Sequence, residues 1–188
     1  LMRVVILGSS SSGNSVFIES GKTRLFVDAG IAPRTVRKRL RTALGRTISE
    51  VSAVIVTHAH GDHCRYAPDL RRSFASERLI LGEKTAQRLK APPHAAFDLL
   101  DAGEPFEIGA LRITPLALPH DTPQVALRIE NDSVSIGLAT DLGRPPEGLV
   151  DLLSGCRLVM LESNHDPQML AEGPYPPFLK ARVKSSKG

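Results

Sequence analysis

The sequence predicts an α/β protein that forms one domain. Apolar runs that suit strands alternate with helix patterns in the first half of the chain, and a series of strands separated by turns follows. The 188 residues suffice for one domain with a hydrophobic core. Hydrophobic residues make up 41% and aromatic residues only 4%, so the core must be mainly aliphatic. Because no repeat or composition shift marks a boundary, we expect a single domain over residues 1–188.

Composition also limits the classes of function. Charged residues make up 23% of the chain, which is the proportion of an ordinary folded protein. No apolar run approaches the roughly 20 residues of a membrane-spanning helix, and the apolar N-terminal stretch is too short for a signal peptide. We therefore expect a cytoplasmic protein with no membrane partner. The net charge of +4 and the pI of about 9.3 are compatible with a polyanionic substrate without demonstrating one.

The first half of the chain is predicted to contain strands and helices in turn. A hairpin turning at Gly21 follows the first strand, and the helix after it begins near Pro33 and ends before Gly45. The β-branched run at 51–56 predicts a buried strand. In order, the predicted elements are strands 3–7, 15–19 and 23–28, helix 33–44, strand 51–56, helix 68–75, strand 78–81 and helix 83–90.

The second half is predicted to form mainly antiparallel strands. Gly109 and the Asn131–Asp132 pair mark turns between them, and Asp166 is predicted to cap a helix that begins at Pro167. The predicted elements are strands 106–108, 111–116, 124–130 and 133–138, helix 149–153 and a buried strand over 157–161.

The segment from Thr57 to His63 concentrates metal-binding side chains. His58, His60, Asp62 and His63 lie within six residues, directly after the predicted strand 51–56. Imidazole and carboxylate groups suit zinc, manganese or iron rather than calcium or magnesium. Four donors in one loop exceed what a single catalytic ion takes from one segment, which indicates two adjacent ions. The alternative is a histidine-rich surface turn with adventitious metal affinity.

Other candidate site residues also follow predicted strands. His120 and Asp141 each come at a strand end, where functional side chains of sheet proteins commonly lie. Asp28 either orients a metal-binding histidine or caps the end of its strand. Cys64 directly follows His63, and we expect it to pack beneath the cluster. Cys64 and Cys156 are the only two cysteines of the sequence, which makes a disulfide framework unlikely.

Two further segments each allow two interpretations. The loop from Gly8 to Ser15 is either a flexible hairpin or a phosphate-holding loop of backbone N–H groups and hydroxyls. The predicted helix 33–44 carries a basic face that is either simply solvated or able to follow a phosphate backbone. The basic residues are Arg34, Arg37, Lys38, Arg39 and Arg41.

The order His-x-His-x-Asp-His after a strand, followed by His120 and Asp141, resembles the metallo-β-lactamase superfamily. The segments 10–15, 139–143, 162–166 and 173–180 are similar to a narrower branch, the YycJ/VicX (WalJ) group of bacterial metallo-hydrolases. The resemblance spans essentially all 188 residues and implies an αββα sandwich with two mostly antiparallel sheets and outer helices. It also implies that the family continues past this sequence to a last metal-binding histidine, so we expect a C-terminally shortened chain.

The resemblance implies a role for each candidate site residue. His58, His60 and His120 would hold one ion, Asp62 and His63 the other, and Asp141 would bridge the two. Asp62 would also orient the nucleophile, and His165 would donate a proton, contact phosphate or replace a ligand. The residues expected to bind substrate are Ser11, Ser12, Gly13, Asn14 and Asn164.

The same resemblance implies a metal-dependent phosphodiesterase, specifically a DNA exonuclease acting 5′ to 3′. Two divalent ions about 3.5–4 Å apart would activate a shared water as the attacking hydroxide. Zinc is favoured by the imidazoles, and manganese or iron would fit the carboxylates. The alternatives are a small-molecule hydrolase, acting on a cyclic phosphodiester or a lactone, and a non-catalytic accessory protein.

Overall fold

The computed structural model describes residues 1–90, 97–161 and 166–185, and it contains two sheets that face each other. The first sheet has six strands in the order of the sequence, β1 (Met2–Gly8), β2 (Ser15–Ser20), β3 (Thr23–Val27), β4 (Ala53–Val56), β5 (Arg78–Leu81) and β6 (Asp98–Leu99). The second sheet is formed, from one edge to the other, by β11 (Leu158–Leu161), β10 (Ser135–Ala139), β9 (Gln124–Glu130), β8 (Leu111–Leu118) and β7 (Phe106–Ile108).

The described residues form seven helices, and the first, third and fifth of them pack on the outer faces of the two sheets, as the αββα prediction requires. The seven helices are α1 (Pro33–Leu44), α2 (Gly61–Cys64), α3 (Ala67–Ser73), α4 (Glu83–Arg88), α5 (Leu149–Leu153), α6 (Pro167–Glu172) and α7 (Pro177–Val183). The prediction of α1 is confirmed at both ends, since Gly45 adopts a left-handed conformation and donates its N–H to the carbonyl of Arg41. Asp166 caps α6 as predicted, because Oδ1 accepts from the N–H groups of Gln168 and Met169.

Three apolar layers hold the sandwich together. Phe26 packs between Phe17 and Phe74, with ring centroids 5.6 and 4.9 Å apart, and this cluster joins the first sheet to α1 and α3. Aliphatic side chains such as Ile55 and Leu127 fill the space between the two sheets. A smaller cluster around Leu149 packs α5 on the second sheet.

The first sheet is mixed, whereas both sheets were predicted to be mostly antiparallel. The pairs β3–β4, β4–β5 and β5–β6 are parallel, and so is β10–β11; the other strand pairs are antiparallel. Helices α1 and α3 lie between successive strands of the first sheet, and a helical crossover returns the chain in the same direction. The αββα fold class itself is confirmed.

The strand at 157–161 differs from its prediction as a buried strand. β11 is the edge strand of the second sheet, and Leu158, Val159 and Leu161 are 40%, 40% and 56% exposed. Its apolar composition indicated a strand correctly but did not reveal that one edge has no neighbour within the described residues. None of the helices that the structure describes combines the length and apolarity that a membrane crossing requires.

Candidate metal centre

The predicted donor residues converge at one end of the two sheets. His58 and His60 follow β4, and Asp62 and His63 lie in the short helix α2 directly behind them. His120 follows β8 and Asp141 follows β10, so the second sheet supplies the remaining donors. Strand ends of both sheets therefore bring together residues that are up to 83 positions apart in the chain.

Three imidazoles form the first donor group. Nδ1 of His60 lies 3.1 Å from Nε2 of His58 and 3.1 Å from Nε2 of His120. Ligand atoms around a tetrahedral zinc ion, each about 2.0–2.1 Å from the metal, lie roughly 3.3–3.4 Å from one another. The spacing of these nitrogens therefore fits a divalent ion with little rearrangement.

The second donor group consists of His58, His63 and Asp141, so it shares His58 with the first. Oδ2 of Asp141 lies 2.7 Å from Nε2 of His63 and 4.0 Å from Nε2 of His58. Oδ2 of Asp62 is 3.6 Å from the same His63 nitrogen. The donor chemistry suits zinc, manganese or iron. The contact between Asp141 and His63 has the length of a hydrogen bond, so an ion at this group would have to push these two atoms apart.

Asp28 orients two of the imidazoles from below the site. Its Oδ1 accepts from both the N–H and the hydroxyl of Thr57, each at 2.9 Å, and its Oδ2 lies 2.7 Å from Nδ1 of His63. Because the Thr57 hydroxyl donates to Asp28, it accepts from Nδ1–H of His58, 3.0 Å away. Both histidines therefore direct Nε2 toward the candidate metal centre, which is the arrangement that supports a metal-binding imidazole.

The two buried histidines have opposite pKa shifts. Burial lowers the pKa of His58 to about 2, with a further contribution from the nearby charge of His63, so His58 is neutral. Burial alone would also lower the pKa of His63, but Asp28 and Asp141 on its two sides outweigh burial and raise it to about 10. For Asp141, burial raises the pKa, but hydrogen bonding and charge interaction with His63 outweigh it and leave the pKa lowered.

The backbone around the site is tightly constrained. Asp28 and Asp141 have φ values of 63° and 51°, in the left-handed region that non-glycine residues seldom adopt. Gly30 passes so close to the carbonyl of Asp62 that a methyl group at Gly30 would overlap it. The N–H of Asn14 donates to that same Asp62 carbonyl at 2.7 Å. Three loops are thus interlocked beneath the donor groups.

The serine-rich loop lies beside the centre, as its functional interpretation requires. Nδ2 of Asn14 donates to Oδ2 of Asp62 at 3.2 Å and lies 2.9 Å from Nε2 of His63. A cavity of about 590 Å³ opens between the sheets next to these groups. Its polar lining residues include Ser9, Ser10, Ser11, Asn14, Asp62 and Asp141.

Not every predicted substrate residue lines this cavity. Ser12 is exposed and bonded through its N–H to the Ser10 hydroxyl, and Gly13 packs against the carbonyl of Gly30. Asn164 and His165 lie outside the described residues, so their predicted roles remain predictions. On the basic face of α1, Arg37 donates to the Ser73 carbonyl and Arg39 to the Leu7 carbonyl, so part of that face has a structural role.

Sequence reasoning missed two contributors. Oδ1 of Asp121 lies 3.0 Å from Nε2 of His60 and 3.3 Å from Nε2 of His120, and Thr57 links Asp28 to His58. The signal available was adjacency, since Asp121 follows His120 and Thr57 precedes His58. Cys64 is buried and donates to the Ala59 carbonyl, in keeping with a packing role.

An αββα sandwich with an imidazole and carboxylate cluster at one end defines the metallo-β-lactamase fold. A family model described as the beta-lactamase superfamily domain matches residues 23–175, and the chain belongs to this family. It is a metallo-β-lactamase-fold hydrolase, which confirms the predicted resemblance and enzyme class.

Individual relatives narrow the resemblance further. The chain is 29% identical over 191 residues to a protein named exodeoxyribonuclease WalJ from Streptococcus pneumoniae serotype 2 (strain D39 / NCTC 7466), covering 97% of this chain and 70% of the relative. It is 27% identical over 189 residues to exodeoxyribonuclease YycJ from Bacillus anthracis, with the same two coverages. The fold matches the metallo-beta-lactamase fold protein YhfI from Bacillus subtilis with a TM-score of 0.68 at 19% identity, over 88% of this chain and 72% of YhfI.

Proposed function

We propose that this chain hydrolyses phosphodiester bonds with two divalent metal ions, and that its substrate is DNA, digested as an exonuclease in the 5′ to 3′ direction. The observation that carries the proposal is the presence of two adjacent donor groups, His58 with His60 and His120, and His58 with His63 and Asp141, which have His58 in common. The names of the two curated relatives support DNA as the substrate.

The donor residues divide between the proposed ions. His58, His60 and His120 would hold the first ion, Asp62 and His63 would hold the second, and Asp141 would be available to either. Bound divalent ions supply Lewis acidity that stabilises negative charge on phosphate oxygens and lowers the pKa of water. Zinc is the proposed metal because imidazoles predominate, and manganese or iron suits the same donors.

The remaining residues position the substrate and move protons. Asp62 is held by the Asn14 amide and keeps a quarter of its side chain exposed toward the cavity, where it can orient a water molecule. The loop from Ser9 to Ser11 offers hydroxyl and N–H donors to a phosphate. His165 follows β11 in sequence, and we propose it as the proton donor to the leaving group.

The test is nucleotide release from a duplex labelled at one end, with zinc or manganese added. The wild-type protein should shorten DNA from the 5′ end, and Asp62→Ala should lower the rate by at least a hundredfold. Asp101→Asn, an exposed acidic residue on a turn, is the matched control and should keep wild-type activity. Absence of metal-dependent release by the wild-type protein would refute the proposed substrate.

The cavity favours a second candidate, hydrolysis of a small molecule. Its volume of about 590 Å³ lies within the range of small-ligand pockets, and apolar strand residues such as Val125 and Leu138 line one side. Ser15 Oγ, also in the lining, is buried without a hydrogen-bond partner among the described residues. Parallel assays with cyclic nucleotides and lactones distinguish this candidate from DNA cleavage. Failure of every substrate would support a non-catalytic accessory role.

A further inference from the structure

We propose that Arg65 and Arg88 form an anion-binding pair at the rim of the candidate metal centre, and that the pair binds a substrate phosphate next to the one that is cleaved. This inference rests on the proposed phosphodiesterase function and narrows its substrate to a chain of phosphodiesters. Neither arginine belongs to the donor groups described above.

The two guanidinium groups meet above Gly61. A methyl group at Gly61 would lie 3.5 Å from an Nη atom of Arg88 and 3.8 Å from an Nη atom of Arg65. Nε of Arg65 donates to the Gly61 carbonyl at 2.8 Å, which holds that side chain over the loop. Gly61 lies between His60 and Asp62 in the sequence, so both guanidinium groups lie beside the loop that carries these two proposed metal-binding residues.

Several arginines elsewhere in the chain pair with a carboxylate, and these two do not. Glu19 is contacted by three arginines, Arg78 pairs with Asp98, and Arg128 pairs with Glu130. Arg65 and Arg88 have no carboxylate within salt-bridge distance among the described residues, and both are exposed. Arg88 lies near the buried thiol of Cys64: burial raises the pKa of that thiol, and the nearby positive charge of Arg88 opposes the shift. Two neighbouring cations without a counter-charge form a site that an anion can complete.

The chemistry of the pair favours a phosphate. A guanidinium group presents several N–H donors in a plane and binds phosphate oxygens bidentately. The position of the pair, beside the donor groups rather than among them, suits a charge adjacent to the reacting one. A nucleic-acid strand carries such a charge at every neighbouring nucleotide, whereas a lactone or a single cyclic phosphodiester does not. The pair therefore selects for a polynucleotide.

The test compares Arg65→Gln/Arg88→Gln with a control that removes two positive charges elsewhere, Lys22→Gln/Arg112→Gln. Both control residues are exposed, and Arg112 lies near the start of β8, about 20 Å along the strand from the end that leads to His120. Binding of a fluorescein-labelled single-stranded oligonucleotide is measured by anisotropy in chelator, so that it does not depend on catalysis. Cleavage is measured with the oligonucleotide and with bis(p-nitrophenyl) phosphate, which has no neighbouring phosphate.

The arginine variant should bind the oligonucleotide at least tenfold more weakly, and its salt dependence, log Kd against log salt, should be shallower by about 0.7, the value for one phosphate contact on a single strand. The ratio of kcat/KM for the oligonucleotide to kcat/KM for the small diester should fall at least tenfold. Arg65→Lys/Arg88→Lys should recover part of the binding because charge remains, which separates charge loss from disruption of the Gly61 loop.

Two results would overturn the inference: no oligonucleotide binding by the wild-type protein, or equal affinity and salt dependence in the arginine and control variants. These results leave the proposed function to be judged from cleavage of the small diester. Conversely, arginine-dependent binding without cleavage of either substrate would support the anion site and refute the phosphodiesterase proposal.

Discussion

Oδ2 of Asp28 lies 2.7 Å from Nδ1 of His63, and this contact determines which nitrogen of that buried ring faces the candidate metal centre. Asp28 is 5% exposed and His63 is 1% exposed, so water does not compete effectively for either group. The same carboxylate also holds Thr57 and, through its hydroxyl, His58. One buried side chain thus orients donors in both groups.

Replacing Asp28 with asparagine should weaken zinc binding by 10–100-fold. The amide keeps the shape of the side chain but removes the negative charge that supports Nδ1–H of His63. Affinity is measured by competition with a chromophoric chelator. Asp98→Asn, an exposed carboxylate at the edge of the first sheet, serves as the control. Wild-type affinity in the Asp28 variant would show that the contact does not orient the ring.

Metal binding at His63 should release a proton between pH 7 and 9. Its pKa of about 10 means that the metal-free ring is protonated in this range, and an ion at Nε2 must displace that proton. His58, with a pKa of about 2, has no such proton to lose. Titration calorimetry in buffers of different ionisation enthalpy measures the release. His63→Asn should abolish this proton release, and zero release in the wild-type protein would contradict the assignment.

The same pKa predicts how the stability of the metal-free fold depends on pH. The pKa of His63 is about 10 in the folded chain, above the ordinary value of 6.5. Protonated His63 therefore contributes its full stabilisation below pH 6.5, and this contribution disappears as the pH rises toward 10. Thermal unfolding in chelator should show Tm falling across that interval. If the Tm of the His63→Gln variant fell as much over this pH interval as the Tm of the wild-type protein, the trend would come from groups other than His63.

Gly30→Ala should destabilise the protein by about 1–3 kcal/mol and weaken metal binding, because the added methyl group must displace the Asp62 carbonyl. Urea unfolding measures the first effect and chelator competition the second. Gly82→Ala is the comparison variant, since its new methyl group would lie no nearer than 3.9 Å to another atom and its cost, about 1 kcal/mol at most, comes from replacing glycine at the N-cap of α4. Equal stability of the two variants would contradict the close approach at Gly30.

Removing metal should lower the melting temperature. An ion present at a hundred times its dissociation constant stabilises the fold by about 2.7 kcal/mol, which corresponds to roughly 5–10 °C for a chain of this size. Scanning fluorimetry with chelator, followed by zinc readdition, measures the shift. His120→Ala removes one donor of the first group and should reduce the recovery. A melting temperature that stays the same when chelator is added would argue against a bound structural or catalytic ion.

Much of the candidate site could be predicted because its donors are local in sequence. His58 to His63 occupy one turn after a strand, and that spacing alone indicates shared metal ligation. Asp121 was missed because its contact with His60 spans 61 positions and depends on how β8 meets the loop after β4. A strand pattern also carries no information on its partners, which explains why the parallel pairs of the first sheet and the exposed edge at β11 were not predicted.

The division of the donors between the two sheets determines what would happen if the chain were cut into two fragments. His58 and His63 belong to the half before the exposed turn at Gly103, and His120 and Asp141 belong to the half after it. A chain cut at Gly103 would yield two fragments, each with an incomplete set of donors. Zinc would then join separately made pieces, so the protein would serve as a split reporter whose reassembly follows the concentration of free metal.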